Sequence, residues 1–308
     1  MGQQRVAVIG GGTIGASWAA YFLARGFEVS VSDPVATADG VKRAIAAAWP
    51  ALEALGLASD ASPDRMRFTG DPLAALDGAV FVQENGPEDE TLKIELFARL
   101  DAALPAETIL ASSSSGLLMS RIQSRCAHPE RCVIGHPFNP PHLMPLVEVV
   151  GGDRTSPDAI ARALDFYRTI GKHPIHVRAE LRGHIANRLQ AALWREAIHL
   201  VDTGAASVAD VDAAVAYGPG LRWAIMGPSL TFHLGGGAGG IQHFMQHLGP
   251  AVQSWWDDLG TPALTPAVQQ KIIAGVLDET GDRPVPDLAR ERDAILVKLL
   301  QDTARADS

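Results

Sequence analysis

Three polar groups stand where apolar strands end: a serine run at 112–115 in ILASSSSG, His136 in CVIGHPF, and Glu148 inside LVEVV. Burying a carboxylate in a strand-like apolar run is costly unless a partner offsets the lost hydration. His136, twelve residues earlier, is the nearest candidate partner for Glu148. A histidine bonded to a carboxylate is fixed in tautomer and becomes a better base, and a serine hydroxyl within reach can hold a substrate oxygen. Such a trio suits removal of an alcohol proton while a hydride leaves the same carbon. The plain alternative is a loop, a satisfied core histidine and a paired structural charge; from spacing alone the two readings weigh equally.

The hydride acceptor is suggested upstream. VAVIGGGTIGASWAAYFLARGFEVSVSD carries Gly10, Gly12 and Gly15 as G-x-G-x-x-G, after a strand and at the start of a helix that Thr13 and Ile14 open. Asp33 ends a second strand eighteen residues after Gly15, and this full context is what makes the short motif specific. Gly10 permits the tight turn, Gly12 lets backbone approach a pyrophosphate, and Gly15 lets helix and strand pack closely, while the helix N-terminus favours phosphate charge. Asp33 would accept from ribose hydroxyls and repel a 2′-phosphate. With Pro34 and Val35 next and no arginine there, NAD is expected over NADP; FAD shares the fingerprint.

These groups need a scaffold that presents strand ends together. RVAVIG, FEVSVSD, AVFVQE, ETILASSS, CVIGHPF and LVEVV read as strands alternating with helical stretches, which predicts a Rossmann-type, largely parallel sheet covered by helices. The segment between the second and third of these strands, VATADGVKRAIAAAWPALEALGLASDASPDRMRF, reads as one helical region ending in turns. After GKHPIHVRAELRGH the pattern becomes helical throughout. The expected division is an NAD-binding α/β domain over residues 1–182 and an all-helical domain over 183–308. Ser207, three residues before Asp210, resembles a capping box with Asp in place of Glu.

The formal charge of -9 leaves no basic stripe for a phosphate backbone, so no nucleic-acid partner is expected. No apolar run reaches bilayer length and the chain enters a strand almost at once, so neither a membrane span nor a leader is expected. The two cysteines, Cys126 and Cys132, fit neither a zinc spacing nor a disulfide framework, which points to a reducing cytoplasm. His243 and His247 stand four residues apart, but no third ligand completes a metal pattern. The glycine-rich HLGGGAGGIQH follows no strand and is expected to be a flexible loop at the substrate or dimer surface.

Taken in order, GGGTIG, GHPFNPPHLMPLVEVV, GHIANR and GAASVADVDAAVAYGPG with its later MGP resemble the 3-hydroxyacyl-CoA dehydrogenase family over nearly the whole chain. The resemblance implies an NAD-dependent oxidoreductase and a homodimer built through the helical domain. It maps the family's active-site serine, histidine, glutamate and asparagine onto Ser115, His136, Glu148 and Asn187. His136 is then the base in alcohol oxidation, Glu148 its orienting partner, and Ser115 and Asn187 bind the reacting oxygen. FVQENGPEDETLKIELF is similar to the family's segment along the nicotinamide side, which suggests Glu88 and Lys93 as cofactor contacts.

Departures from the family pattern bear on substrate. The serine loop lacks the usual Asn and Thr neighbours, and His184 stands where Phe is usual. GLRWAIMGPSLTFHL resembles the branch containing L-gulonate 3-dehydrogenase (lambda-crystallin) and carnitine 3-dehydrogenase, which oxidise free 3-hydroxy acids. Arg222 can hold a free carboxylate in a bidentate pair, whereas a thioester offers no such anion. Trp223 beside it could face a quaternary ammonium, although aromatic residues are more often core. The expectation is hydride transfer from C3 of an L-3-hydroxy acid to NAD. The rivals are L-3-hydroxyacyl-CoA oxidation in fatty-acid metabolism and an idle NAD-binding structural protein.

Overall fold

The computed structural model describes residues 4–306. Eight strands form one sheet: β1 (Arg5–Ile9), β2 (Glu28–Ser32), β3 (Met66–Thr69), β4 (Ala79–Glu84), β5 (Ile109–Ser112), β6 (Cys132–Pro137), β7 (Leu146–Gly151) and β8 (His173–Val177), in the order β3-β2-β1-β4-β5-β6-β7-β8. Every pairing is parallel except β6 with β7. A parallel sheet must be covered on both faces, because its crossovers are helices. Alternation along β1 shows this: Val6 and Val8 join one buried cluster, Ala7 and Ile9 the other.

Helices α1 (Thr13–Ala24), α2 (Ala38–Leu55), α3 (Glu90–Ala103), α4 (Met119–Ile122) and α5 (Pro157–Thr169) supply the covering residues. Trp18, Phe22, Val41 and Ile45 of α1 and α2, with Ala163 and Tyr167 of α5, fill the first cluster. Phe97 and Leu100 of α3 and Met119 and Ile122 of α4 belong to the second. Local chemistry sets the helix starts. Thr37 caps α2, Asp89 caps α3, and Ser156 followed by Pro157 opens α5.

Edge strands β3 and β8 were not among the expected strands. MRFT has only Met66 fully buried, so its alternation is faint, and HPIHV carries a proline and two histidines. A proline is tolerated in β8 because that strand is at the sheet edge, where one row of backbone groups needs no partner.

The remaining helices are α6 (Ala186–Asp202), α7 (Val208–Tyr217), α8 (Pro219–Trp223), α9 (Pro228–Gly235), α10 (Gly240–His247), α11 (Gly249–Asp258), α12 (Pro266–Thr280) and α13 (Val285–Ala306). The Ser207 and Asp210 capping box at α7 is formed in both directions. The glycine-rich stretch is not the expected loop: it is the end of α9, one 3-10 turn at Gly237–Gly239, and the start of α10. Its glycines serve a sharp reversal, since Gly237 and Gly240 have φ of 58° and 59° and a Cβ on Gly236 would lie 1.8 Å from the Gly240 carbonyl oxygen. Phe232 and Phe244 stack across the reversal with ring centroids 4.8 Å apart.

Among the described residues, 4–188 with 290–306 form one compact unit and 189–289 another. The boundary expected after residue 182 falls just ahead of this division, and α13 rejoins the first unit from Arg290 onward. Among the described residues, no helix is long and apolar enough to cross a membrane.

Candidate active site

Strand β1 delivers the chain to Gly10, whose φ of 98° suits glycine and whose Cβ would meet the Asn85 backbone at 2.8 Å. A Cβ on Gly15 would lie 1.8 Å from the Gly10 carbonyl oxygen, so α1 packs against the turn only because both residues are glycine. Gly12 caps α1 without a side-chain hydrogen bond, and nothing lies within 4 Å of where its Cβ would be. The first turn, opened by Thr13 and Ile14, carries no acidic residue. Free N–H groups over open space at a helix N-terminus fit a pyrophosphate.

Asp33 closes the other side. Its Oδ2 accepts from the Gly11 amide at 2.7 Å, and its Oδ1 accepts from the Val35 and Ala36 amides at 2.7 Å each. Burial pushes this carboxyl up, but those three backbone bonds outweigh it and hold the group below the usual Asp range. Asp33 therefore stays ionised while shaping the glycine turn. A cleft of about 1010 Å³ runs from Gly10 and Asp33 past Asp71 and Gly86 to Arg99. This chain's residues thus fit a dinucleotide without a 2′-phosphate.

The sheet's one antiparallel pairing builds the second part. Its register sets His136 opposite Glu148, both buried, with His136 Nδ1 2.9 Å from Glu148 Oε2. The turn joining these strands is tied down by the buried Lys172, whose Nζ donates to the Pro141 and Met144 carbonyls. Glu148 Oε1 accepts from the amides of Ile185 and Ala186 at 2.8 and 3.0 Å. Burial raises the Glu148 pKa, but the His136 bond and those two amides more than offset it, so it lies below the ordinary value. An ionised carboxylate can only accept, so His136 carries its proton on Nδ1. Nε2 is left as a lone pair, and the Ser115 hydroxyl lies 3.0 Å from it. This arrangement can take a proton from an alcohol placed at Ser115 and Nε2.

The serine run is not a plain loop, for each member has its own partner. Ser112 donates to Glu84 at 2.6 Å, Ser113 to Asn85 at 2.7 Å and Ser114 to Glu88 at 2.7 Å. Glu88 also accepts from the Gly116 amide at 2.7 Å. Glu84 is fully buried and is met by Lys93, whose three donors go to both Glu84 oxygens and to the Gly86 carbonyl. Glu84 and Asn85 were missed by reading the sequence, and His184 was noted there only as standing where Phe is usual. Glu84 carried a weaker form of the signal that exposed Glu148, a carboxylate closing the mostly apolar strand AVFVQE.

Asn187, on the first turn of α6, is half-buried and its amide has no hydrogen-bond partner among the described residues. In the other unit Arg222 is exposed on α8, with no hydrogen-bond or ion-pair partner for its side chain among the described residues, and Trp223 is 38 % exposed. His243 and His247 rings are 3.9 Å apart, with His247 Nδ1 at the His243 carbonyl. Cys126 and Cys132 gather near Asp101, but that carboxylate is committed to Arg131 and to the amides of Ala127 and His128.

Residues 5–181 match the model for the 3-hydroxyacyl-CoA dehydrogenase NAD binding domain, and residues 183–263 the model for the 3-hydroxyacyl-CoA dehydrogenase C-terminal domain. The chain is 52% identical over 303 residues to an L-carnitine dehydrogenase of Streptomyces griseus, covering 98% of this chain and 90% of that protein. It is 49% identical to the L-carnitine dehydrogenase of Streptomyces coelicolor, covering 98% of this chain and 95% of the relative. Among solved structures it resembles 5-formyl-3-hydroxy-2-methylpyridine 4-carboxylic acid 5-dehydrogenase, described as an NAD+-dependent dismutase. That match has a TM-score of 0.82 at 29% identity, over 98% of this chain and 99% of the other.

Proposed function

The chain belongs to the 3-hydroxyacyl-CoA dehydrogenase family, and from that premise we propose that this NAD-dependent dehydrogenase oxidises the free hydroxy acid L-carnitine at C3. The observation carrying this is the identity of 49 to 52% to L-carnitine dehydrogenases along almost the entire chain. The same comparison weighs against CoA-thioester oxidation and against an idle scaffold.

When bound, NAD+ supplies the hydride acceptor. His136 Nε2 takes the substrate hydroxyl proton as C3 becomes a carbonyl, and Glu148 stabilises the resulting imidazolium. In ketone reduction the same nitrogen returns the proton. Ser115 holds the reacting oxygen, with the free amide of Asn187 as its second donor. Glu88 acts at the nicotinamide side by ordering the serine loop. Lys93, with its three donors already spent, would contribute through the Gly86 turn rather than by a charge of its own.

Arg222 would bind the carboxylate and Trp223 the trimethylammonium face. A second copy of the chain covers the exposed apolar side chains of the helical unit, which include Trp194, Tyr217, Trp255 and Trp256. Sedimentation of the purified chain tests that dimer; a monomer at micromolar concentration would overturn it.

The deciding experiment is NADH formation at alkaline pH with L-carnitine, L-gulonate, L-3-hydroxybutyrate and L-3-hydroxybutyryl-CoA, compared by kcat/KM. Carnitine should lead by more than about tenfold, which is about 1.4 kcal/mol of transition-state discrimination. A thioester leading by that margin would return the chain to acyl-CoA chemistry.

A further inference from the structure

The turn at residues 183–186 reaches both ends of the Ser115, His136 and Glu148 chain. Its Ile185 and Ala186 amides hold Glu148 Oε1 at one end. At the other, the His184 ring nitrogen Nε2 lies 3.1 Å from the carbonyl oxygen of Ser114, the residue before Ser115. The His184 ring is 1% exposed and lies tilted against the His136 ring, with centroids 5.1 Å apart. Its φ of 47° puts a non-glycine residue in the left-handed region, a conformation that persists only where surrounding contacts hold it.

The chemistry of the partner settles the tautomer. A carbonyl oxygen can only accept, so His184 must carry its proton on Nε2. Nδ1 is then a lone pair, buried and without a partner among the described residues. A second proton there would place a cation beside the His136 ring with no acceptor to receive it. Burial accordingly depresses the His184 pKa, against smaller opposing effects from the Ser114 bond and from Glu148 and Glu88. The ring is therefore a neutral, one-directional donor.

We infer that His184 is a positioning residue for the dehydrogenation: as the neutral Nε2–H tautomer it holds the Ser114 carbonyl and thereby keeps the Ser115 hydroxyl against His136 Nε2. The inference rests on the proposed roles of Ser115 and His136. A neutral ring gives this grip without adding positive charge next to a base that must accept a proton.

Two substitutions test it. His184→Phe keeps a planar ring but has no donor, and His184→Gln places an amide N–H close to the Nε2 position. With L-carnitine and NAD+, the Phe variant should lose at least about tenfold in kcat, and the Gln variant should recover most of that. In a Ser115→Ala background the Phe change should cost little more, because its effect runs through Ser115. Equal kcat for His184→Phe and the unsubstituted chain, or full additivity with Ser115→Ala, would overturn the inference. A readout independent of turnover uses 15N-histidine NMR of the chain at neutral pH. His184 should show a protonated Nε2 and an unprotonated Nδ1; an Nδ1–H tautomer or an imidazolium would overturn it too. If no 3-hydroxy acid is oxidised, the functional reading fails while the NMR result still decides the tautomer and grip of His184.

Discussion

Glu148 spends its two oxygens on different parts of the chain: Oε2 on His136 Nδ1 at 2.9 Å, and Oε1 on the Ile185 and Ala186 amides. One carboxylate thus fixes the His136 tautomer and docks the turn that leads into α6. Glu148→Gln keeps the shape but offers a donor as well as an acceptor, so the imidazole can settle in the opposite tautomer with its lone pair facing the amide. We expect kcat to fall by about 10² to 10⁴-fold, with NADH affinity by fluorescence unchanged. His136→Gln should do the same, and turnover unchanged in either variant would remove the proposed base.

The Glu84 and Lys93 pair is buried, with side chains 0% and 1% exposed. Lys93→Met leaves the Glu84 carboxylate without its cation, so unfolding in urea should lose about 3 to 5 kcal/mol. The double variant Glu84→Gln with Lys93→Met should recover part of that, since neither charge then remains. Should Lys93→Met instead raise the NADH Kd with stability intact, the lysine would act on the cofactor directly.

Asp33 lines the cleft beside Gly10, where the proposed role is to face the adenosine ribose, and it also holds the Gly11, Val35 and Ala36 amides. Replacing it by Ser removes the charge that repels a 2′-phosphate. The NADP to NAD ratio of kcat/KM should rise by about tenfold or more, while activity with NAD drops because the glycine turn loses its anchor. Paired titrations with both cofactors measure this, and an unchanged ratio would place discrimination elsewhere.

Arg222 should matter for binding more than for chemistry. Arg222→Met is expected to raise the carnitine KM by about tenfold or more, as loss of a charge-assisted pair would. Its kcat at saturation should move little. A normal KM in steady-state kinetics would make Arg222 a surface residue.

His142 gives the pH dependence of stability a definite sign. Burial pushes its pKa down to about 4 from 6.5, with the nearby Lys172 and Arg292 adding to the effect and Asp293 opposing it. Above pH 6.5 both the folded and the unfolded chain hold this group neutral, so the contribution is intact. Between 6.5 and about 4 the unfolded chain takes up the proton first, so stability falls as pH falls through that window. Melting temperature should therefore drop between pH 7 and pH 5, and the drop should shrink in His142→Asn. Equal slopes in the two proteins would refute it. Below 4.5 the lowered Glu148 pKa acts in the same direction.

What the residues determine alone is what short-range physics controls. The glycine turn, α1 and Asp33 lie within one strand, helix and strand, so their spacing prescribes a nucleotide cradle before any long-range contact forms. Ser207 with Asp210 is legible for the same reason, being a helix start completed over three residues. His136 and Glu148 could be paired from sequence because a carboxylate in an apolar strand demands a nearby partner, and the preceding strand carries it.

Only the tertiary structure decided the rest. Strands β3 and β8 have too little apolar alternation to declare themselves, and they form because neighbouring edges accept them. The partner of each serine in the run 112–115 comes from β4, β6 or the segment just after β4. His184 is a single histidine in GHIANR, with no periodicity to mark it. It meets Ser114 from 70 residues away because the chain after β8 folds back over the strand ends. Contacts between residues so far apart are chosen by which surfaces bury together, and a one-dimensional spacing does not encode that choice.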